Sequence, residues 1–224
     1  MGNSLKKMKY TIIIATMYFH IKQLYQMLVV YNAMDCIGEI LLVNNNEDSR
    51  FDFNLDKIRV IGTGVNQYVN PSWKLGATEA KYENIIIAND DILLKGDVET
   101  LFLYIADRLK GNSVFGPSKR CFAKYKVIRK LGCERARTAS KYRMNYGYGV
   151  LMFTKRSTFL NTAIPDDFLV WYGDHLLFAY NQPWEFTGIE IETDMKGTTS
   201  KLDLSGFAEK EREAFTKLTV QNGK

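Results

Sequence analysis

Two adjacent carboxylates and an amide, Asn89-Asp90-Asp91, follow directly after the apolar run 84–88. Carboxylates at the end of a buried strand are costly unless a positive group lies beside them. Mg²⁺ and Mn²⁺ take oxygen ligands, which they commonly share between one or two carboxylates and substrate phosphates. The turn is therefore predicted to hold a divalent metal with a diphosphate, and an ordinary Asx turn followed by a cap is the alternative.

A second segment suited to chemistry is 119–143, which contains ten lysine and arginine residues and one acidic residue, Glu134. Aromatic residues lie among and just after them, and this mixture is typical of a groove that follows phosphates and stacks rings. We predict that the segment attracts an anionic partner, for which a nucleic acid is one candidate. An anionic lipid surface, an anionic glycan or a merely solvated loop are the alternatives.

Strands and helices alternate along the chain and must position these residues. Residues 10–16 and 84–88 are predicted as buried strands, residues 39–44 and 57–61 as further strands, and the spacing of apolar residues predicts a helix over 21–34. Later segments predict a helix capped by Asp97 and running to about Leu109, and strands at 113–115 and 148–154. They also predict a short turn or helix that starts at 158–160, and helices at 174–180 and from 203 onwards. Such alternation predicts an α/β fold with an open, mostly parallel sheet, helices on both faces, and ligands beyond the carboxyl ends of the strands.

The composition limits the class of protein further. A chain of 224 residues, of which 46% are hydrophobic and 25% charged, suits one packed domain. We predict that this domain covers 1–202 and that 203–224 form a C-terminal helix or tail. The apolar runs have strand length, no signal peptide is recognisable, and the three cysteines match no metal or disulfide pattern, so we predict a cytoplasmic protein with reduced thiols and no membrane span.

The motifs that follow strands or precede helices occur in a definite order. They are Ala15-Thr16, Val43-Asn44-Asn45-Asn46, Asn70-Pro71-Ser72-Trp73-Lys74-Leu75-Gly76, Asn89-Asp90-Asp91, Gly147-Tyr148-Gly149-Val150 and Trp171-Tyr172-Gly173-Asp174-His175. This order resembles that of the GT-A fold glycosyltransferases, in particular glycosyltransferase family 2, over the range from about 10 to about 180. The resemblance implies transfer of a sugar from a nucleotide-diphosphate sugar to an acceptor hydroxyl.

The resemblance also implies a donor site and a metal site. Loops after the first two strands hold the nucleoside in that family, which assigns Thr16 and Asn44 to the donor. Asn44 stands where an acidic residue is common, and asparagine can pair with a uracil or guanine edge. The acidic turn resembles the DXD signature of the family. Asp91 is then the ligand of Mn²⁺ or Mg²⁺, Asp90 contacts the metal or the ribose, and Asn89 lies at the donor.

Three further roles follow from the same resemblance. The helix start with Asn70 and Lys74 lies near the diphosphate, where Lys74 stands in place of the more usual asparagine, although it could also be merely solvated. Gly149 lies beneath the sugar, where a missing side chain lets the donor approach the backbone. Asp174 is the general base of an inverting reaction, with a simple N-cap as the alternative role for this residue and a retaining reaction as the alternative course of the transfer.

The acceptor site is predicted from the basic segment and its neighbours. Phage enzymes that glycosylate modified bases in DNA are a precedent for a small member of this kind. A non-catalytic nucleic-acid-binding protein and a nucleotidyltransferase are the alternative functions, although the glycine-rich basic loop of the latter is replaced by Met17-Tyr18-Phe19-His20. The residues assigned to the acceptor are Lys124, Arg129, Tyr146, Tyr148 and Trp171.

Overall fold

The computed structural model describes residues 8–48, 51–136, 148–193 and 204–221, which form ten strands and six α-helices. The strands are β1 (Tyr10–Thr16), β2 (Ile37–Asn44), β3 (Ile58–Ile61), β4 (Asn84–Ala88), β5 (Ile92–Lys95), β6 (Ser113–Pro117), β7 (Gly132–Arg135), β8 (Leu151–Lys155), β9 (Gln182–Thr187) and β10 (Glu190–Thr193). The helices are α1 (Ile21–Ala33), α2 (Val69–Glu79), α3 (Val98–Ala106), α4 (Arg156–Asn161), α5 (Gly173–Tyr180) and α6 (Ser205–Gln221). Short 3-10 turns lie at Lys119–Cys121, Ala123–Tyr125 and Tyr148–Val150.

Eight strands form one central sheet in the order β3-β2-β1-β4-β8-β6-β9-β7. Strands β1 to β4 run parallel to one another, and β6 and β9 run in that same direction. Only β8 and β7 run antiparallel to their neighbours in this sheet. A separate antiparallel pair joins β5 to β10. The predicted α/β fold with a mostly parallel sheet is confirmed.

The apolar core is divided between the two faces of the sheet. Successive side chains of a strand point to opposite faces. In β1, Ile12 and Ile14 pack with the apolar residues of α1 and α3, whereas Ile13 packs with those of α2, α4 and α5. Each isoleucine is fully buried and contributes about 1.5–3 kcal/mol relative to an exposed side chain. Helices therefore cover both faces, as predicted.

Most predicted elements occur within one to three residues of their expected bounds. Asp97 caps α3 as predicted, because its Oδ1 accepts a hydrogen bond from the Thr100 N–H at 3.1 Å. This helix ends at Ala106, before the predicted Leu109, because the backbone after it turns tightly and the Arg108 N–H donates to the Ile105 carbonyl. The predicted strand 148–154 begins at Leu151, after a 3-10 turn. Strands β5, β7, β9 and β10 were not predicted.

The C-terminal helix is present as α6, while the predicted domain boundary between 202 and 203 lies outside the described residues. Cys36, Cys121 and Cys133 are free thiols in the structure. Within the described ranges, no helix is both long enough and apolar enough to cross a bilayer.

Candidate active site

The predicted site residues meet at one edge of the central sheet. Thr16 pairs with Asn44 where β1 and β2 end, and β4 ends beside β1 just before Asn89. The antiparallel β8 begins opposite the end of β4, since Leu151 pairs with Ala88. The turn that contains Gly149 therefore reaches the same edge. This edge is where ligands bind in open α/β sheets.

The end of β1 holds the first carboxylate of the acidic turn. Thr16 Oγ1 donates to Asp90 Oδ2 at 2.7 Å and accepts from the Tyr18 N–H at 2.8 Å. Tyr18 is buried and has a φ of 61°, in the left-handed region. Because the Thr16 hydroxyl both donates and accepts a hydrogen bond, it orients Asp90 and also fixes the turn after β1.

The two acidic side chains are both buried, with exposed fractions of 6% for Asp90 and 4% for Asp91. Burial, together with the neighbouring charge of Asp91, raises the pKa of Asp90 to about 6, although the hydrogen bond from Thr16 and the nearby His20 oppose this shift. Thr193 Oγ1, from the end of β10, donates to Asp91 Oδ2 at 3.3 Å. Two buried carboxylates side by side favour a bound cation, which would offset their desolvation and mutual repulsion.

The donor set fits a divalent cation that binds through oxygen. No three His, Cys, Asp or Glu side chains come together as a metal site in ranges 8–48, 51–136, 148–193 and 204–221. Mg²⁺ usually keeps several waters and binds through one or two carboxylates together with substrate phosphates. Asp90 and Asp91 are the side chains here that suit such a site.

Asp174 lies in the first turn of α5 and is 7% exposed. Its Oδ2 accepts from the Gly149 N–H at 3.0 Å, and its Oδ1 accepts from the His175 N–H at 2.9 Å. The 3-10 turn that contains Gly149 also contacts the acidic turn, because the Asn89 N–H donates to the Val150 carbonyl at 3.1 Å. Hydrogen bonds to the backbone of residues 149 and 150 therefore connect the acidic turn with the Asp174 carboxylate.

Comparison with known proteins gives a match in structure and none in sequence. No protein-family model matches the chain, and no curated protein matches it either. GalNAc-T7, solved with UDP, GalNAc and Mn²⁺, matches 83% of this chain with a TM-score of 0.57 and 10% identity. TarS 1–349 from S. aureus matches 82% with a TM-score of 0.55 and 13% identity. The chain has the GT-A fold of glycosyltransferases.

This GT-A chain spans less than two thirds of either neighbour, 43% of the GalNAc-T7 chain and 59% of the TarS 1–349 chain. A longer TarS structure gives the same result, with a TM-score of 0.56 at 10% identity, 82% of this chain and 36% of that chain. Sequence identities this low establish a shared fold only, so the role of each site residue has to be inferred from its position and contacts in this chain.

The three asparagines at and after the end of β2 connect loops at the site edge of the central sheet by hydrogen bonds. Asn44 Oδ1 accepts from the Asn46 N–H at 2.8 Å, and Asn46 Nδ2 donates to the Met17 carbonyl at 3.1 Å. Asn45 is buried and exchanges hydrogen bonds with the Ser72 hydroxyl of α2. The nucleoside contact of Asn44 stays a prediction, and its hydrogen bond to Asn46 shows how its side chain is oriented.

Gly149 lies where there is no room for a side chain. A Cβ atom at this position would come within 2.9 Å of the Trp73 ring and 3.7 Å of Asp174 Oδ2. The absence of a side chain therefore permits close packing against α2. The predicted approach of the donor to this backbone remains a prediction.

Two residues of α2, Asn70 and Lys74, were predicted to bind the sugar donor, and their surroundings differ. Asn70 is buried, and its Nδ2 donates to the carbonyls of Phe168 at 3.0 Å and Trp171 at 3.1 Å. Lys74 is exposed and forms an ion pair with Asp166 at 2.8 Å. Asn70 thus holds the segment before Asp174, and donor contacts of either residue remain predictions.

The predicted acceptor residues within the described parts of the chain differ in their exposure to solvent. Lys124 and Arg129 are exposed on the turns before β7, where Arg129 pairs with Glu190 at 3.4 Å. Tyr148 is buried, stacks on Phe178 with ring centroids 3.8 Å apart, and donates its hydroxyl to Glu185 at 3.1 Å. Trp171 is partly buried beside the entry to α5, and Tyr146 lies outside the described residues.

Sequence reasoning missed several residues that shape the site. Thr193 was missed because β10 was not predicted, and Tyr18 because its contact depends on the turn after β1. Glu211 of α6 is buried against the segment before Asp174, although its own neighbourhood in the sequence is charged and helical. The sequence signal that could have pointed to Glu211 is its spacing of four residues from Phe207 and from Phe215, which predicts that the acid lies on the apolar face of the helix.

Proposed function

We propose that the chain is a metal-dependent glycosyltransferase that moves a sugar from a nucleotide-diphosphate sugar to an acceptor hydroxyl. The supporting observation is the arrangement at the sheet edge, where the buried pair Asp90 and Asp91 is connected through residues 149 and 150 to the buried Asp174. The presence of UDP, GalNAc and Mn²⁺ in GalNAc-T7 makes a UDP-sugar with Mn²⁺ the first donor and metal to test.

On this proposal, Asp91 and Asp90 hold Mn²⁺ or Mg²⁺. A bound divalent ion supplies positive charge that stabilises the departing diphosphate. Thr16 keeps Asp90 oriented through its 2.7 Å hydrogen bond, and Thr193 does the same for Asp91. Thr16 and Asn44, at the ends of adjacent strands, are proposed to contact the nucleoside.

Asp174 is proposed to be the general base of an inverting transfer. Two backbone N–H groups, of Gly149 and His175, hold its carboxylate in one orientation. A carboxylate fixed in this way can take the proton of an acceptor hydroxyl as that oxygen attacks the sugar carbon, and the electron pair of the broken glycosidic bond leaves with the diphosphate. General base catalysis of this kind contributes about 10²–10⁴-fold to the rate.

The acceptor is proposed to be anionic, with a modified base in DNA as the first candidate. The support is the exposed basic side chains between 119 and 135, which are more numerous than the acids beside them. Counterion release makes nucleic-acid binding to such a surface steeply dependent on salt. A protein that only binds nucleic acid is the second candidate, and it would keep this binding after loss of Asp91.

The proposed function is tested by thermal unfolding of the full chain with a panel of nucleotide diphosphates, each with and without Mn²⁺ or Mg²⁺. A nucleotide at about 100 times its Kd adds about 2.7 kcal/mol, which is roughly 5–10 °C for a chain of this size. We expect one nucleotide to stabilise the wild type only with metal, and Asp91→Ala to abolish the shift.

Asp166→Ala is the matched control, because Asp166 is an exposed carboxylate in an ion pair with Lys74. It should keep the full metal-dependent shift. If no nucleotide stabilises the wild type and DNA binds equally to wild type and Asp91→Ala, the binding-protein alternative is favoured.

A further inference from the structure

Glu211 is a charged side chain inside the protein, with an exposed fraction of 1%. Its Oε1 accepts from the N–H groups of Leu169 at 2.8 Å and Val170 at 3.1 Å, and its Oε2 accepts from the Trp171 N–H at 2.7 Å. Three successive backbone N–H groups therefore point at one carboxylate, an arrangement that suits an anion. Since a buried carboxylate is costly without such partners, its hydrogen bonds hold this segment firmly.

The segment that Glu211 holds leads directly to the proposed base. Tyr172 follows it with a φ of 63°, a conformation that surrounding contacts must maintain. Asp174 lies two residues further on, in the first turn of α5. A displacement of residues 169–171 would therefore be transmitted to Asp174 through only two intervening residues.

Helix α2 holds the same segment through its carbonyl groups. Asn70 Nδ2 donates to the Phe168 and Trp171 carbonyls, and the Leu169 carbonyl accepts from the backbone N–H groups of Val69 and Asn70 at 2.9 Å. Glu211 binds the N–H groups of residues 169–171, whereas α2 binds carbonyl groups of the same segment. The segment is thus fixed between α2 and α6.

The face of α6 that carries Glu211 also contacts this region through aromatic rings. Phe207, Glu211 and Phe215 are spaced four residues apart and share one face of the helix. The Phe215 ring stacks on Tyr172 with centroids 4.6 Å apart, and the Phe207 ring lies 5.1 Å from Tyr68 at the start of α2. The C-terminal helix therefore docks beside the entry to α5.

We propose that Glu211 is a positioning residue for sugar transfer, which holds residues 169–171 and thereby sets the place of the Asp174 carboxylate. This inference rests on the proposed function, because Glu211 acts through Asp174 and touches no reacting atom. Misplacing a catalytic group by about 1 Å can cost about 10²-fold in rate. Helix α6 then supports the catalytic site through this one buried side chain.

Glu211→Gln is the sharpest variant for a test. It keeps the size of the side chain but replaces one acceptor oxygen with an NH₂ group that faces backbone N–H donors. Glu213→Gln is the matched control, since Glu213 is exposed on the same helix. If Glu211→Gln does not fold, Phe215→Leu disturbs the same segment through Tyr172 and receives the same measurements.

Steady-state kinetics with the donor nucleotide that the thermal-shift panel selects separates positioning from binding. We expect Glu211→Gln to lower kcat by about 10- to 100-fold, while the metal-dependent nucleotide shift and the donor KM stay within about twofold. In an Asp174→Asn background, adding Glu211→Gln should lower the residual rate no further, because both changes remove the same contribution. A merely structural role would weaken nucleotide binding too, and its effect would add to that of Asp174→Asn.

Amide hydrogen exchange tests, without reference to activity, whether Glu211 holds residues 169–171 in place. Exchange at residues 169–171 should rise in Glu211→Gln and stay unchanged in Glu213→Gln, while β1 and β4 keep their protection. Unchanged exchange at 169–171, wild-type kcat, or an additive double variant would each overturn the proposal. A wild type that transfers no sugar would overturn the proposed function, and a rise in exchange would then show that Glu211 holds the segment without a catalytic consequence.

Discussion

At the scale of single residues, the hydroxyl of Thr16 decides how Asp90 is presented. Thr16→Val keeps the shape and removes both hydrogen bonds, to Asp90 and from the Tyr18 N–H. Leaving such buried groups unpaired costs about 1–3 kcal/mol. We expect Thr16→Val to lower the free energy of unfolding by that amount and to weaken Mn²⁺-dependent nucleotide binding about 10-fold, a change of about 1.4 kcal/mol, as measured by urea unfolding and calorimetric titration.

The same strand offers a control at its other end. Thr11 Oγ1 donates to Glu39 at 2.8 Å and accepts from the Tyr82 N–H at 3.2 Å, and it is equally buried. Thr11→Val should destabilise the chain to a similar extent and leave nucleotide binding unchanged. Equal loss of binding in both variants would mean that Thr16 acts through stability alone.

The proposed base gives the second residue-scale prediction. Asp174→Asn keeps the size of the side chain but removes its basicity, so turnover should fall about 10²–10⁴-fold. Nucleotide binding with metal should stay within about twofold, as judged by the thermal shift. Asp166→Asn, at an exposed carboxylate, should keep full activity. Undiminished turnover in Asp174→Asn would exclude Asp174 as the base.

At the scale of elements, α2 packs closely on β1 because residue 76 is glycine. A Cβ atom on Gly76 would lie 2.3 Å from Ile13 Cγ2, well inside contact distance. We expect Gly76→Ala to lower the free energy of unfolding by about 1–3 kcal/mol, since overpacking forces the helix and sheet apart. Urea unfolding measures this, and a variant as stable as the wild type would show that α2 can move.

Gly206→Ala in α6 is the control for this exchange of glycine for alanine. No atom lies within 4 Å of a Cβ atom built on Gly206. Alanine loses less conformational freedom in a helix, by about 0.5–1 kcal/mol. The control should therefore be as stable as the wild type or slightly more stable.

At the scale of the whole molecule, the fold buries two of the three thiols, those of Cys36 and Cys121. Burial raises the pKa of Cys36 and of Cys121 to about 12, so both stay protonated and unreactive at pH 8 while the fold is intact. A disulfide reagent at pH 8 should label these thiols rapidly only after denaturation, as measured by mass spectrometry of digested protein. Rapid labelling of native Cys121 would contradict its burial.

The same pKa shifts predict the stability of the molecule at high pH. An unfolded thiol ionises near pH 8.5, whereas the folded Cys36 stays neutral until about pH 12. The contribution of burial is therefore complete below about pH 8.5 and is lost as the pH rises, by about 1.4 kcal/mol per pH unit for each thiol. Urea unfolding should show a shallower loss between pH 8.5 and 10 in Cys36→Ala than in the wild type.

The strands that carry the acidic turn were predictable because their signal is local. Residues 10–16 and 84–88 are continuous apolar runs, and both strands have the predicted bounds. Short strands were missed where the pattern is weak, as in β9, which contains a proline and two charged or amide residues among its six. Such segments become strands because a neighbouring strand supplies their hydrogen bonds.

By itself, the sequence determined which residues follow buried strands, and hence that Asp90, Asp91, Thr16 and Asn44 meet at one edge. Parallel strands bring their carboxyl ends together whatever the distance between them along the chain. Only the tertiary structure decided that Tyr148 turns into the core, that Thr193 reaches Asp91, and that Glu211 holds the segment before Asp174. These contacts join residues that lie from 30 positions apart, as for residues 148 and 178, to 102 positions apart, as for residues 91 and 193. No local periodicity encodes them, because they arise when separately formed elements pack together.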